Sequence, residues 1–458
     1  MDRIPGIIMG RRGFIAGAGA SALLLASGCG SGTGQTVPAT VPQSIPDPVD
    51  WRITRWGSDP FARGAYSYLP PGTSARSRIA LRRSVDQLLY FAGEATDPDF
   101  PATVHGAHLS GIRAARKVQE AHGGGSIVVI GAGSSGLTAA GQLVDAGFEV
   151  TVLEARERIG GRAWTDDVGG APIDLGGSWL HGVRTNPLAD LAGDLGISLV
   201  HTDYDDAVLH DTDGSRLDWN RLGHLYQAVE GAVFGQASTG AMGLKLDPIR
   251  ADLSERDRRW FDFVVVSEVE HWWPAHVDDL SLGTAWEGVE PLGGDFVPAG
   301  GYAPIMAELA DGLDIRLGTP VSEVRWSASG VTLRTPGATF TADAVVVTLP
   351  LGVLKAGDVV FDPELPRAHL EAIDRLGMGN MEKVVLRFPE VFWDPDVDLF
   401  SYIPEQRGLF VEWYNAVPWT GAPILVGFNA GRTAQDLLHW SDDRILGSAL
   451  DTLNLMFS

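Results

Sequence analysis

A glycine-rich turn between a predicted strand and a predicted helix most constrains how this chain folds. Residues 127–130 form a short apolar run rich in β-branched residues, which is typical of a buried strand. A helix is predicted over 134–146, followed by a second strand over 148–154. The turn has the spacing G-x-G-x-x-G, supplied by Gly131, Gly133 and Gly136. This succession predicts an α/β domain with a parallel, doubly wound sheet.

The same turn predicts a dinucleotide site. Glycines let the backbone approach a pyrophosphate closely, and the N-terminus of the following helix carries a partial positive charge. Glu154 ends the second strand, where its carboxylate can accept hydrogen bonds from the ribose hydroxyls of an adenosine. The alternative is that the glycines only pack a helix against a strand. The complete strand–turn–helix–strand context favours the nucleotide.

Length and charge limit the classes of protein to consider. At 458 residues, with 45% hydrophobic and 20% charged residues, the composition is ordinary for a soluble globular protein of two or three domains. The net charge of −23 argues against nucleic acid as a partner, because phosphates would be repelled. An acidic surface would attract cations such as polyamines, but it is at least as typical of a solvated surface that aids solubility.

The first residues are similar to an export leader. Arg11 and Arg12 precede an apolar run over 14–27, and Cys29 ends a lipoprotein-like cleavage box. The run is shorter than the roughly 20 apolar residues of a membrane-spanning helix. We therefore expect residues 1–29 to direct twin-arginine export across a bacterial cytoplasmic membrane. A lipid on Cys29 would be the membrane attachment at the outer face; the alternative is an uncleaved anchor.

Residues 30–48 are rich in Gly, Ser, Thr and Pro, which predicts a flexible linker. Cys29 is the only cysteine of the chain. Neither a disulfide framework nor a cysteine metal site is therefore expected, and the sequence predicts no metal.

Two longer motifs resemble one known family but occur in the reverse of its usual order. Residues 89–117 read LYFAGEATDPDFPATVHGAHLSGIRAARK, and residues 127–162 read IVVIGAGSSGLTAAGQLVDAGFEVTVLEARERIGGR. They are similar to the C-terminal and N-terminal signatures, respectively, of the flavin amine oxidases, which include polyamine oxidases, monoamine oxidases and lysine-specific histone demethylases. The chain resembles a circularly permuted member, in which the triglycine at 123–125 joins the two former ends.

The resemblance implies two folded units, each built from separate segments. A Rossmann-like FAD-binding domain of the glutathione-reductase type is expected over 64–199 and 290–358. An α+β substrate-binding domain is expected over 49–63, 200–289 and 359–458. Periodicity alone predicts several strands within 314–349 and mainly helix over 185–280.

Members of this family bind FAD, and the resemblance extends that cofactor to residues throughout the chain. A helix is expected to begin after Pro101, and its positive N-terminus would stabilise the reduced flavin. His105 on this helix is expected to be structural. The FAD-binding residues implied by the resemblance are Gly93, Glu94, Ala102, Thr103, Val104, Gly131, Gly133, Ser135, Gly136, Glu154, Ala155, Arg156, Gly161, Arg162, Gly177, Ser178, Trp179 and Val321.

The resemblance also implies four residues at the reactive face of the flavin. Lys383 matches the family's lysine that holds a water against flavin N5 and favours the reaction of reduced flavin with O2. Tyr66 matches one wall of an aromatic cage, and Thr103 stands where monoamine oxidases carry the second wall. His181 matches a histidine near the substrate amine. Ala65 stands where monoamine oxidases carry the cysteine that bonds to FAD, so a non-covalent flavin is expected.

The expected reaction is the oxidation of a small-molecule amine by O2, with a polyamine favoured. The amine would become an imine, and O2 would be reduced to hydrogen peroxide. Four acids of the helical region are candidates for binding distal ammonium groups, although most are expected to be surface charges: Glu268, Glu270, Asp278 and Asp279. One alternative is an L-amino-acid oxidase, which needs an arginine for the substrate carboxylate and has Arg184 as a candidate. The other is a surface lipoprotein without turnover.

Overall fold

The computed structural model of the protein describes residues 44–235 and 238–458. The predicted leader, Cys29 and the linker as far as residue 43 lie outside the described residues. Within the described ranges, no helix combines the length and the apolar character that crossing a bilayer requires.

A parallel sheet of five strands carries the glycine-rich turn. Its strands, in spatial order, are Asp314–Arg316, Glu149–Leu153, Ser126–Ile130, Ala344–Val347 and Leu89–Phe91. Both faces of the central strands are covered, so these strands are nearly continuous apolar runs rather than alternating ones. The predicted α/β, Rossmann-like fold is confirmed.

The two faces of this sheet are covered differently. The helices Val104–Ala121 and Ser134–Asp145 pack on one face, where Val118 and Leu137 join the core around Val129. On the other face lies a second sheet, whose strands in order are Thr339–Ala342, Gly330–Arg334, Glu323–Ser327 and Val360–Asp362. Part of the second covering layer is therefore β-structure rather than the helices of an idealised doubly wound sheet.

The helix expected after Pro101 extends over Val104–Ala121. It crosses the helix Ser134–Asp145 at very short range. A Cβ added at Gly111 would lie 2.3 Å from the carbonyl oxygen of Ser135. Glycine at this position therefore allows the helix before the glycine-rich turn to pack against the helix after it.

The segment that precedes the glycine-rich turn belongs to the same sheet as the turn, since Leu89–Phe91 pairs with Ala344–Val347. At the ends of the described chain, the N–H of Ile45 donates to Oδ1 of Asn454 at 3.0 Å, on the C-terminal helix Asp442–Phe457. These contacts establish which segments are neighbours. A permuted origin of their order stays a prediction, as do the predicted domain boundaries.

A seven-stranded sheet forms the other large unit. Its strands, in spatial order, are Asp50–Ile53, Met381–Arg387, Ile424–Ala430, Glu412–Asn415, Leu399–Tyr402, Ala207–His210 and Arg216–Leu217. Lys383, Phe428 and Glu412 are direct partners across three neighbouring strands. Directly opposed residues project to the same face, so these three side chains form one row across the sheet.

The region 185–280 is less helical than predicted. Its helices are Pro187–Asp194, Gly223–Phe234, Gly243–Ala251 and Glu255–Val265, followed by a π-helical turn over Val266–Glu270. The helical prediction is wrong over 199–217, where three short strands lie. One of them, Ala207–His210, pairs with Leu399–Tyr402, and a partner so distant along the chain leaves no mark on local periodicity.

Shorter elements connect these sheets. Small ladders join Leu180–His181, Asp295–Pro298 and Leu199–His201; Thr165–Val168 and Ala171–Asp174; and Ser67–Tyr68 and Gly377–Met378. The other described helices are Arg76–Leu81, Ala303–Ala310, Leu351–Ala356, Arg367–Arg375, Val417–Thr420 and Gly431–Leu437, with 3₁₀ turns at Glu94–Thr96, Trp219–Arg221 and Leu282–Trp286.

Candidate active site

A cavity of about 150 Å³ lies over the glycine-rich turn. The turn follows a strand of the parallel sheet, at the edge where α/β folds bind their ligands. Thirteen of the predicted cofactor residues line this cavity: Gly93, Glu94, Ala102, Thr103, Val104, Gly131, Gly133, Ser135, Glu154, Arg156, Gly161, Arg162 and Gly177.

The turn offers backbone donors to a ligand in this cavity. Gly133 is the N-cap of the helix Ser134–Asp145 and provides no side-chain cap, so the first N–H groups of the helix remain available. A Cβ added at Gly133 would meet only the carbonyl oxygen of Gly160, at 4.0 Å, which leaves open space above the turn. A pyrophosphate fits both the space and the donors.

Glu154 is held in place beside the same cavity. Its Oε2 accepts the N–H of Ala132 at 2.7 Å, and its Oε1 accepts the N–H of Arg156 at 2.8 Å. An ionised carboxylate has about four acceptor sites, so capacity remains for ribose hydroxyls. The geometry therefore fits the adenosine half of a dinucleotide.

The buried Glu94 and the half-buried Arg162 form an ion pair between the nucleotide end and the rest of the site. Nη1 of Arg162 donates to Glu94 at 2.9 Å, and the hydroxyl of Ser67 donates to the same carboxylate at 2.5 Å. Burial would raise the pKa of Glu94, but Arg162, Arg78 and Ser67 together lower it below its ordinary value. Glu94 is therefore ionised at neutral pH.

A larger cavity of about 400 Å³ adjoins the first. The two share Tyr66, Thr103, Arg162 and Gly177 among their walls, so one elongated ligand can fill the first and present its end to the second. Four further predicted residues line the larger cavity: Ser178, Trp179, His181 and Lys383.

Lys383 is buried at the wall of the larger cavity, with 4% of its surface exposed. Its Nζ donates to the carbonyl oxygens of Asp174 and Gly176, at 2.8 and 2.6 Å, and to the hydroxyl of Ser178 at 2.6 Å. Burial lowers the pKa of Lys383, and the charge of Asp174 only partly offsets that effect. The strand Met381–Arg387 thus holds Lys383 in a buried position, whereas its place in the sequence alone would predict a solvated side chain.

Tyr66 lies at the junction of the two cavities. Two backbone hydrogen bonds with Gly379 hold the chain at this point. The N–H of Ala65 donates to the carbonyl oxygen of Gly379 at 2.7 Å, and the N–H of Gly379 donates to the carbonyl oxygen of Tyr66 at 2.8 Å. The hydroxyl of Tyr66 donates to the carbonyl oxygen of His271 at 3.2 Å. An aromatic side chain anchored at both ends suits the predicted role of a cage wall.

Thr103 lines both cavities and also begins a helix, while its listing among the catalytic residues stays a prediction. It is the N-cap of the helix Val104–Ala121: its Oγ1 accepts the N–H of Gly106 at 3.0 Å and donates to the carbonyl oxygen of Phe100 at 2.9 Å. The hydroxyl is therefore used in capping, and the residue acts as a wall and as a helix start.

His181 faces the larger cavity and pairs with Asp295, at 3.0 Å between Nδ1 and Oδ2. Burial would raise the pKa of Asp295, but His181 and the hydroxyl of Tyr204 lower it. Burial lowers the pKa of His105 to about 3. Its ring packs on Phe100 with 4.8 Å between centroids, which agrees with a structural role.

Three predicted cofactor residues line neither cavity. Gly136 packs the helix onto the turn, since a Cβ there would lie 1.9 Å from the carbonyl oxygen of Gly131. Val321 packs in the hydrophobic core beside Val324. Ala155 lies between two lining residues without lining a cavity itself. Gly136 and Val321 thus have packing roles, and their contacts with FAD stay predictions.

The four acids considered as candidates for distal ammonium groups, most of them expected to be surface charges, also lie outside both cavities. Glu270, for example, is paired with Arg407 at 2.9 Å. The carboxylates that line the larger cavity are those of Asp99, Glu287, Glu290 and Asp295. These acids line the cavity only because the fold brings their segments to it. The local sequence around them does not distinguish them from acids on the surface.

Sequence reasoning also missed much of the aromatic and polar lining of the larger cavity: Tyr204, His271, Trp272, Trp273, Trp286 and Phe428. For all of these except Phe428, the signal available was the concentration of aromatic residues in the region 185–290. It did not distinguish a cavity wall from an ordinary core.

Comparisons with known proteins complete the assignment. A model of the flavin containing amine oxidoreductases matches residues 33–119 and 134–458, and one of the pyridine nucleotide-disulphide oxidoreductases matches 83–171. Polyamine oxidase 2 of Arabidopsis thaliana is 37% identical over 346 residues, 69% of this chain and 69% of the relative. Lysine-specific histone demethylase 1 homolog 2 of the same species is 36% identical over 335 residues, 68% of this chain and 44% of the relative.

Among solved structures, wild-type putrescine oxidase bound to putrescine has the same fold, with a TM-score of 0.55 at 21% identity over 73% of this chain and 82% of that chain. The family model covers most of the sequence, and the two joined cavities supply the matching site. The chain therefore belongs to the flavin containing amine oxidoreductases, and it is an enzyme that uses FAD and oxidises amines.

Proposed function

We propose that the enzyme oxidises a polyamine, or another primary or secondary amine, to an imine and reduces O2 to hydrogen peroxide. The observation that carries the proposal is the pair of joined cavities: Tyr66 lies where they meet, and the buried Lys383 lines the larger one beside aromatic walls. FAD, when bound, supplies the hydride acceptor and returns the electrons to O2. Polyamine oxidases at 37–38% identity favour a polyamine.

The residues of the larger cavity perform three tasks in this proposal. The cavity walls, which include Trp179 and Phe428, exclude water, and this desolvation favours the neutral amine that must react. Glu290, whose carboxylate lines the same cavity, suits a second, still charged nitrogen. Lys383 positions water and supports the return of electrons to O2.

An L-amino-acid oxidase is less well supported. The arginines that line the larger cavity are Arg78 and Arg162, and both already bind carboxylates. Arg78 holds Glu287 through two hydrogen bonds of 2.7 and 3.0 Å. Arg184 lines neither cavity. A substrate carboxylate would therefore lack a free guanidinium among the described lining residues.

The substrate class is tested by mixing purified holoprotein anaerobically with putrescine, spermidine, spermine, aromatic monoamines and amino acids. Loss of the visible absorbance of oxidised flavin reports oxidation of the substrate, and a peroxide assay after admission of air reports the oxidase half-reaction. We expect amines to bleach the flavin and amino acids to leave it oxidised. Bleaching by amino acids alone would establish the alternative, and bleaching by none would favour a protein without turnover.

We further propose that the protein is exported and held at the outer face of the membrane by a lipid on Cys29. The twin-arginine pair and the cleavage-box-like sequence support this proposal. Cys29→Ser should move the protein from the membrane fraction to the soluble exported fraction. Unchanged membrane association of Cys29→Ser would favour an uncleaved anchor.

A further inference from the structure

A buried histidine–carboxylate pair lies beside the larger cavity and outside the predicted site. Nδ1 of His271 is 2.7 Å from Oε2 of Glu412, and each side chain is 1% exposed. The hydroxyl of Ser267 donates to the other carboxylate oxygen at 2.6 Å. The Ser267 bond holds the carboxylate, and the contact between Nδ1 and the carboxylate holds the ring in one orientation.

Two elements bring these groups together. The π-helical turn Val266–Glu270 closes with a hydrogen bond of 2.9 Å from the N–H of His271 to the carbonyl oxygen of Val266. Turns of this kind are rare and often lie at functional sites. Glu412 comes from the sheet, in the same row as Phe428 and Lys383, and so projects toward the side that carries the larger cavity.

The main chain of His271 links the pair to the cavity. The carbonyl oxygen of His271 accepts the hydroxyl of Tyr66 at 3.2 Å, and both residues line the larger cavity. We infer that Ser267, Glu412 and His271 form a positioning unit that holds the hydroxyl end of Tyr66. The inference rests on the proposed amine oxidation, in which Tyr66 is a wall of the reacting site.

A small displacement of that wall has a large expected effect. Misplacing a positioned group by about 1 Å can slow a reaction about 100-fold, because the reacting atoms no longer align. Loss of the clamp on His271 frees the carbonyl that anchors Tyr66. The inference therefore predicts a fall in the limiting rate of flavin reduction, with a smaller change in the affinity for the amine.

Two substitutions at one position separate positioning from direct contact. In His271→Ala no side chain reaches Glu412, and we expect the limiting rate of flavin reduction to fall about 10-fold to 100-fold. His271→Asn keeps an N–H donor near the place of Nδ1, and should recover most of the rate. If the ring acts on substrate through Nε2 instead, His271→Asn will be as slow as His271→Ala, and the inference is overturned.

A double-mutant cycle tests the path to Tyr66. Glu412→Gln removes the charge that clamps His271, and Tyr66→Phe removes the hydroxyl that the clamped residue holds. If both act through one contact, the double variant should be no slower than the slower single variant. Multiplied effects would show that Glu412 acts by another route. Glu412→Gln also carries the test should His271→Ala fail to accumulate.

A matched control and a readout without turnover complete the design. His210 is the control position: it is buried like His271, it belongs to the same seven-stranded sheet as Glu412, and it lines neither cavity. His210→Ala should therefore leave the rate of flavin reduction unchanged. The visible spectrum of the oxidised holoprotein should shift alike in His271→Ala and Tyr66→Phe. If both variants show the same spectral shift but no amine reduces the flavin of the wild type, the proposed amine oxidation is contradicted and the positioning of Tyr66 by His271 is supported. If His271→Ala has the rate and the spectrum of the wild type, only the positioning role is contradicted.

Discussion

At the scale of single residues, burial decides the chemistry around the larger cavity. Lys383 stands at a turn–strand junction, where composition and periodicity predict a solvated side chain, and the resemblance to the family singled it out. The structure shows why it differs from a surface lysine: its ammonium group is enclosed and bound by three oxygen atoms. Its partners, at Asp174, Gly176 and Ser178, come from a segment more than 200 residues away.

We predict that Lys383→Met slows the reoxidation of reduced flavin by about 100-fold, as loss of a preorganised charge does at other reaction centres. Stopped-flow mixing of the amine-reduced enzyme with O2 measures this rate. Lys355→Met is the matched control, because Nζ of Lys355 also donates to three carbonyl oxygens but lines neither cavity. Equal rates for Lys383→Met and the wild type would remove the assigned role.

At the scale of elements, the helix Val104–Ala121 links the fold to the site. Its start was predicted from Pro101 and the small residues that follow, because helix starts have local signatures. Its close packing on the helix Ser134–Asp145 depends on Gly111, which the sequence did not single out. The strands within 199–217 were missed for the complementary reason: their partners, such as Leu399–Tyr402, are remote in sequence.

The cap of this helix gives a prediction of its own. Thr103→Ala should lower the free energy of unfolding by about 1 kcal/mol, because one N–H of the first turn loses its acceptor. Thr103→Ser keeps the acceptor and should restore most of that stability in chemical denaturation. Ser254→Ala is the control for loss of a helix cap away from both cavities, because Ser254 caps the helix Glu255–Val265 in the same way. A Thr103→Ala protein as stable as the wild type would contradict the capping role.

At the scale of the whole molecule, segments from both ends of the chain enclose one site for FAD. Ala65 lines both cavities, and no cysteine occurs among the described lining residues. We therefore predict a non-covalent flavin. Acid precipitation should leave the yellow colour in the supernatant, and added free FAD should raise the unfolding midpoint of the protein, because a ligand that binds the folded state stabilises it. Colour that stays with the precipitate would contradict this prediction.

The sequence by itself determined the class of fold, because strand–turn–helix patterns and glycine spacings are local. The cofactor and the family came from the resemblance of longer motifs to the flavin amine oxidases. Gly131, Gly133 and Glu154 needed no tertiary contact to be recognised. The tertiary structure alone decided that Thr103 is a cap, that Val321 is core and that Glu412 clamps His271 beside Tyr66. Those roles depend on groups brought together from distant strands, and on burial, which sets the protonation and freedom of each side chain.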